Sequence, residues 1–388
     1  MKIRAQKISA NFYDLILLLA SWATVNLVIY KTIGTRIVVD SARYLDYANE
    51  ILERGIFFQE HNFWYLSYAL YLSFIKFLHF GINGALAGQV LLSGVAVICI
   101  YQTGTLLYTR VAGLWASFSF IVWAYISQWN FYILCESLFI SFTAISFYLI
   151  VRFHKINKGA LLTAFILLFT MFIKPPGVWL AFAGIASMLF KYGRNFLSSV
   201  YGVKIIVALL GLFCLLLINA MLGTFKLIDT YSTGNLVFLA SNIKVASQLT
   251  VSPPRDLFIP KSEHAVLIQM GEFIFSNPTF FTKLFFGKLF LFVVHVKPYY
   301  SWLHNCWIAV TIYPSYYLGS IGLQVIKNKP VAIFTFSFMA LNALTVGSTI
   351  EDWDGRFLMP LLPVIFVIAG CGAADYLNKF ILKRNGDS

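Results

Sequence analysis

Long stretches of this chain contain no Asp, Glu, Lys or Arg. Between Lys76 and Arg110 lie 33 such residues, between Arg110 and Glu136 25, between Lys204 and Lys226 21, and between Lys297 and Lys327 29. Residues 330–350 and 357–374 add runs of 21 and 18. A helix rising ~1.5 Å per residue needs ~20 apolar residues to cross a hydrocarbon core ~30 Å thick. A transmembrane barrel would instead show short segments of alternating polarity, and these runs do not alternate. The pattern predicts one membrane-embedded domain over 1–388: an all-α polytopic membrane protein with about 10–12 transmembrane helices plus outer interfacial helices.

Composition agrees. Of 388 residues, 59% are hydrophobic and only 12% charged, about half the usual charged share of a soluble domain. The first apolar segment, 12–30, is not followed by a small-residue cleavage site, so it is expected to stay as a helix and anchor. The five cysteines are scattered and read as small buried hydrophobes. The net charge of +13 does not point to nucleic acid, because the basic residues sit mainly in short loops between apolar runs.

Those loops predict orientation, since positive charge is retained on the cytoplasmic side. The amino terminus (Lys2, Arg4, Lys7), the loop 152–158 (Arg152, Lys155, Lys158), 191–204, the Lys327–Lys329 turn and the carboxy terminus are placed in the cytoplasm. Parity then forbids 64–80 from being a full span. It is read as an interfacial or dipping helix, and 281–297 as interfacial or re-entrant. Full spans are expected near 12–30, 85–108, 112–132, 136–151, 159–174, 176–190, 203–222, 304–326, 330–350 and 357–380. Lys174-Pro175-Pro176 marks a tight hairpin whose lysine reaches the interface. Residues 31–63 form a first outer loop with an amphipathic helix. Residues 223–280 form a large outer loop, a mostly irregular cover. Of the 16 acids, only Asp14, Asp375 and Asp387 fall at the inner face.

Three constellations on the outer side carry candidate chemistry. The first is Asp40-Ser41-Ala42-Arg43-Tyr44, opening an amphipathic helix with Tyr44, Ala48 and Leu52 on one face. Asp40 reads either as a helix cap or as a general base held at the membrane surface. The second is Glu136, the one charge between Arg110 and Arg152. An ionisable group there is either a functional carboxylate or an interfacial helix start. The third is Glu351-Asp352-Trp353-Asp354-Gly355-Arg356. It is either a capped turn or a site where Arg356, with Asp354 beside it, grips a phosphate in bidentate fashion. Arg43, Lys174, Lys288 and Lys297 lie at the depth of a lipid phosphate, where each reads as a phosphate ligand or an interfacial anchor. No nucleotide-binding glycine loop and no Cys/His metal set occurs. No pattern supports a divalent cation, and that requirement stays open.

The ordered series Asp40-Ser41-x-x-Tyr44, Phe80-Gly81, Thr103-Gly104-x-x-Leu107-Tyr108, Glu136-Ser137-Leu138, Ile173-Lys174-Pro175-Pro176-Gly177 and Gly355-Arg356-Phe357-x-x-Pro360-x-x-Pro363 resembles the GT-C superfamily of membrane glycosyltransferases. It is most similar to the bacterial branch related to protein O-mannosyltransferases and aminoarabinose transferases. The resemblance implies transfer of a sugar from a polyprenyl-phosphate donor to a glycan, lipid or protein acceptor, with inversion, on the outer face of a bacterial inner membrane. By position it implies Asp40 as general base and Glu136 as a second catalytic acid that orients a substrate. It implies Arg356, Lys288 and Lys174 as stabilisers of the departing phosphate, with Arg43, Tyr44 and Asp354 beside the substrate. Many members carry two adjacent acids in the first outer loop, whereas Ser41 follows Asp40 here. Other readings are a lipid or oligosaccharide transporter, which would place ionisable groups near the midplane, and a scaffold subunit, whose outer acids would tolerate neutralisation.

Overall fold

A computed structural model of the chain describes residues 12–197, 211–212, 215–225, 227–238, 240, 245 and 248–386. Helices dominate, and among the described residues no strand occurs beyond three isolated bridges. In order they are α1 (Phe12–Ile33), α2 (Val39–Arg54), α3 (Glu60–Phe63), α4 (Leu66–Phe77), α5 (Gly81–Leu107), α6 (Arg110–Val122), α7 (Ala124–Ser127) and α8 (Cys135–Ile156). There follow α9 (Ala160–Met171), α10 (Gly177–Leu197), α11 (Leu227–Ser232), α12 (Val266–Ser276), α13 (Pro278–Val294), α14 (Trp302–Val325), α15 (Lys329–Ser348) and α16 (Leu362–Gly386). Five helical stretches among the described residues are long and apolar enough to cross a membrane: α1, α5, α8, α15 and Met359–Ile381. Two bent pairs, α6 with 124–131 and α12 with α13, raise the number to seven if each is one span. The chain is an all-α, multi-pass membrane protein.

Polar contacts between helix ends give the direction in which the helices run. Asp14 near the start of α1 meets Tyr101 late in α5 and Arg110 at the start of α6. Asn26 late in α1 meets Asn130, which meets Ser93 midway along α5, ahead of Tyr101. Glu136 at the start of α8 meets Lys174 after α9, and His154 near its end meets Ser187 in α10. Trp123 stacks on Trp307 early in α14 and donates to Met359 ahead of α16, while Tyr108 meets Asp375 deep in α16. Hence α1, α6, α9 and α15 run toward the Asp40 end, and α5, α8, α10, α14 and α16 run away from it. Helix α4 has 12 residues, about 18 Å at the helical rise and too short to cross. Its Tyr68 hydroxyl donates to Gln89 early in α5, so α4 stays at the Asp40 end.

Helix α16 is the centre of the bundle, its residues from Leu362 to Ala374 buried. Lipid tails give helices no hydrophobic reason to associate, so small residues that permit close packing matter more there. Gly372 is such a position: its Cα lies against the Leu318 carbonyl of α14, leaving no room for a Cβ.

Two expectations need revision. The run 112–132 is not one straight span, because α6 ends at Val122 and the chain bends by 63° into 124–131. The reason is polar: Asn130 turns inward onto Asn26 and Ser93, and Trp123 onto Met359. Among its described residues the expected outer cover 223–280 carries α11, α12 and the start of α13. Lys174 does not reach the interface but is buried against Glu136. Lys2, Arg4 and Lys7, residues 203–210 (Lys204 among them) and 213–214 of the expected span 203–222, and Asp387 lie outside the described residues.

Candidate functional site

At the Asp40 end the bundle holds a cavity of about 390 Å³. Asp40, Arg43, Glu136, Lys174, Asp352 and Arg356 line its polar wall, and Trp179, Met221, Leu222, Phe225, Phe238 and Phe357 its apolar wall. Three cations face three carboxylates, so the wall is close to neutral while every charge has a partner.

Asp40 is the second residue of α2. The helix start is satisfied by its neighbour, because the Val38 N–H donates to Ser41 Oγ at 2.9 Å. The Asp40 carboxylate is thereby left to the cavity, in the positive field of the helix N-terminus. Its Oδ1 lies 3.7 Å from Arg43 Nη2 and its Oδ2 3.7 Å from Arg356 Nη1. At 42% side-chain exposure it is the most open of the clustered acids.

Glu136 sits in the first turn of α8, and its side chain is only 2% exposed. The segment before it is held by side chains from three helices. Gln89 Nε2 donates to the carbonyls of Asn130 and Tyr132 (3.1 and 2.9 Å), and Ser137 Oγ donates to Asn130 Oδ1 at 2.6 Å. This network has no free donor at Gln89 or Asn130, as buried polar groups in lipid require. Glu136 Oε1 accepts from Lys174 Nζ at 2.9 Å and from Arg356 Nη1 at 3.4 Å.

Arg356 is the hub. Its Nε donates to Asp352 Oδ2 at 2.9 Å and lies 3.7 Å from Asp354 Oδ1, while Nη1 reaches Glu136 and Asp40. Burial works against the cation, but Asp352, Glu136 and Asp354 outweigh it and hold its ionisation above the ordinary arginine range. Asp352 Oδ1 accepts from the Asp354 N–H at 3.2 Å. Burial opposes ionisation of both, yet the bond to Asp354 and the Arg356 charge keep Asp352 low, whereas burial and then Asp352 push Asp354 up.

Arg43 lies over the rings of Tyr44 and Tyr65, 5.0 and 5.2 Å from their centroids. Its Nη2 donates to Tyr44 OH at 3.3 Å, and that hydroxyl lies 3.6 Å from Cys135 Sγ. His61 closes the rim, its Nδ1 3.1 Å from Thr224 Oγ1. Burial, then Arg43, pushes the imidazole down to about 4, so it is neutral near pH 7.

Segments from around 40, 136, 174 and 356 therefore meet in one cavity. Lys288 does not join them. Its side chain is wholly buried, its Nζ donates to the Thr349 carbonyl at 2.6 Å, and it faces the Tyr231 ring instead. A lysine beside an orphan carbonyl and an aromatic face has no need of a phosphate, so Lys288 is withdrawn as a phosphate ligand. Asp354 stands behind Arg356 and is not part of the cavity wall. The sequence does not single out His61, Tyr65, Trp179 or Phe225 of the lining, and Lys297, read there as a phosphate ligand or an interfacial anchor, is instead wholly buried in an ion pair with Glu351 behind the Arg356 loop. A second, apolar hollow of about 170 Å³ adjoins the first, sharing Trp179, Leu222, Thr345 and Thr349 and extending to Met270, Leu341 and Leu344.

Among the described residues no group of three or more His, Cys, Asp or Glu side chains has the geometry to hold a metal ion. Neither a protein-family model nor a curated protein matches this chain.

Proposed function

We propose that the chain is a glycosyltransferase that moves a sugar from a polyprenyl-phosphate donor to a hydroxyl acceptor at the Asp40 end of the bundle. The observation that carries the reading is the position of Arg356 Nη1, 3.4 Å from Glu136 and 3.7 Å from Asp40. It joins the three sequence-remote motifs that resemble the GT-C superfamily.

In the proposed reaction the acceptor O–H gives its proton to Asp40 as its oxygen attacks the anomeric carbon. The bond from that carbon to the phosphate oxygen breaks on the opposite face, so configuration inverts and polyprenyl phosphate leaves. Its negative charge is met by Arg356 and Arg43, which replaces protonation of the leaving group. Glu136, fixed by Lys174, orients Arg356 and a sugar hydroxyl. The apolar hollow beside Trp179 and Leu341 suits the first isoprene units. The mixed wall, apolar on one side and charged on the other, suits a substrate that is itself part lipid and part sugar phosphate.

The active face is assigned to the extracytoplasmic side of a bacterial inner membrane, with both termini cytoplasmic. Support comes from Arg152, Lys155 and Lys158, which close α8 and the turn after it at the end away from Asp40. Ionisable groups gathered at one end of the bundle favour an enzyme over a transporter, whose coupling sites belong near the midplane. The test is transfer by the purified protein in vesicles supplied with polyprenyl-phosphate pentose and hexose donors and cell-envelope acceptors. Release of polyprenyl phosphate that requires the protein supports the reading. Donors that bind and cross without losing their sugar would favour transport.

A further inference from the structure

The loop that carries Arg356 is held from behind by a wholly buried ion pair that does not touch the cavity. Lys297 Nζ lies 3.0 Å from Glu351 Oε1 and also donates to the Asp352 carbonyl, and both side chains are 0% exposed. Lys297 is itself clamped, because Asn305 Oδ1 accepts its N–H at 3.3 Å and Asn305 Nδ2 donates to its carbonyl at 3.0 Å. Asp352, whose carbonyl is gripped, uses its carboxylate to hold Arg356 Nε at 2.9 Å. A single residue, Asp352, thus links the buried lysine to Arg356.

The same pair reaches the cavity's cover. Glu351 N–H donates to the Leu236 carbonyl at 3.3 Å, and Phe238 N–H donates to the Glu351 carbonyl at 2.7 Å. Phe238 lines the cavity. The side chain of Glu351 faces Lys297 while its backbone fastens the cover, so one residue ties wall and cover together.

Stability alone is a poor account of this arrangement. Taking two charges out of water costs as much as or more than their attraction returns, and an apolar pair of the same volume is often as stable. What an apolar pair does not supply is a directed donor to the Asp352 carbonyl.

We infer that Lys297 and Glu351 are positioning residues: they set the height of the Asp352–Arg356 bridge in the cavity and lock the 236–238 cover to it. The inference rests on the proposed glycosyl transfer for its consequence, but not for its structural content.

The test replaces both members at once, Lys297→Met with Glu351→Leu, in the full chain in vesicles. Thermal unfolding and amide hydrogen exchange are followed together with sugar transfer. The expected result is an unfolding temperature close to that of the parent, with exchange of 349–358 and 235–238 faster by about tenfold in both segments, as loss of one charge-assisted hydrogen bond implies. Transfer should fall in kcat with KM for the donor nearly unchanged. Parent-like exchange in either segment, or parent-like kcat, would overturn the positioning role. Should the double variant not fold, Lys297→Gln, which keeps one donor for the carbonyl, is compared with Lys297→Met. Slower exchange in the glutamine variant supports the inference and equal exchange overturns it. Because exchange is read whether or not sugar moves, a parent protein without transfer activity counts against the reaction alone.

Discussion

Arg356 and Glu136, 220 positions apart in the chain, bring Nη1 and Oε1 to 3.4 Å inside the bundle. Glu136 also takes Lys174 at 2.9 Å, so one buried carboxylate answers two cations from different segments. Neither cation has another carboxylate so deeply buried and so close to the start of α8, which makes Glu136 the electrostatic centre of the cavity floor.

From this follows a stability prediction. Glu136→Gln leaves Lys174 buried without its counter-charge and should destabilise the protein by about 3–5 kcal/mol, the cost typical of breaking one side of a buried pair. Adding Lys174→Met should recover a large part of that loss. Thermal unfolding in detergent or vesicles measures both. A Glu136→Gln protein as stable as the parent would show that the pair carries no such energy.

The cations divide by position. Arg43 lines the cavity with a side chain 33% exposed, whereas Lys288 is sealed behind Thr349. Arg43→Gln should weaken binding of polyprenyl phosphate by about tenfold, the loss of one charge-assisted contact to an anion. Lys288→Met should leave that affinity unchanged while lowering the unfolding temperature. Titration of vesicle-embedded protein with the lipid phosphate distinguishes the two, and the reverse ranking would refute the assignment.

Glu351 gives a pH signature. Burial, partly offset by Lys297, raises its carboxyl from 4.5 to about 7. The folded state therefore holds this proton more tightly than the unfolded chain. The stability it contributes is complete below pH 4.5 and is lost as pH rises through about 7. Against a Glu351→Gln reference, the parent's relative unfolding temperature should decline between those limits and stay level above them. A difference that grows with pH over that window would mean Glu351 is ionised more readily in the fold than out of it.

Much of this was legible in the sequence because charge is scarce in an apolar chain. Asp40, Glu136, Lys174 and Arg356 stand out for that reason, and three of them needed only helix parity to be placed at the same end. Lys288 misled because a lysine in an apolar helix reads the same whether it faces a phosphate or a stray carbonyl. Only packing against Thr349 and Tyr231 decides between them. The Lys297–Glu351 pair was hidden because its members are 54 positions apart, and nothing local marks them as partners. Tyr65, Trp179 and Phe225 were invisible among 18% aromatic residues, since rings that line a cavity look no different from rings that meet lipid. The bend at Trp123 escaped notice because its cause, Asn130 turning onto Asn26 and Ser93, is tertiary.

The general base is the element on which the reaction depends. Asp40 is partly exposed and its two ionic contacts are long, at 3.7 Å each, so Asp40→Asn should insert and fold like the parent. Single-turnover transfer from a polyprenyl-phosphate sugar donor, measured for parent and Asp40→Asn in the same vesicles, is the decisive comparison. The account predicts a rate lower by about 10²–10⁴-fold, the share of general-base catalysis, with donor binding retained. An Asp40→Asn protein that transfers sugar at the parent's rate would contradict it.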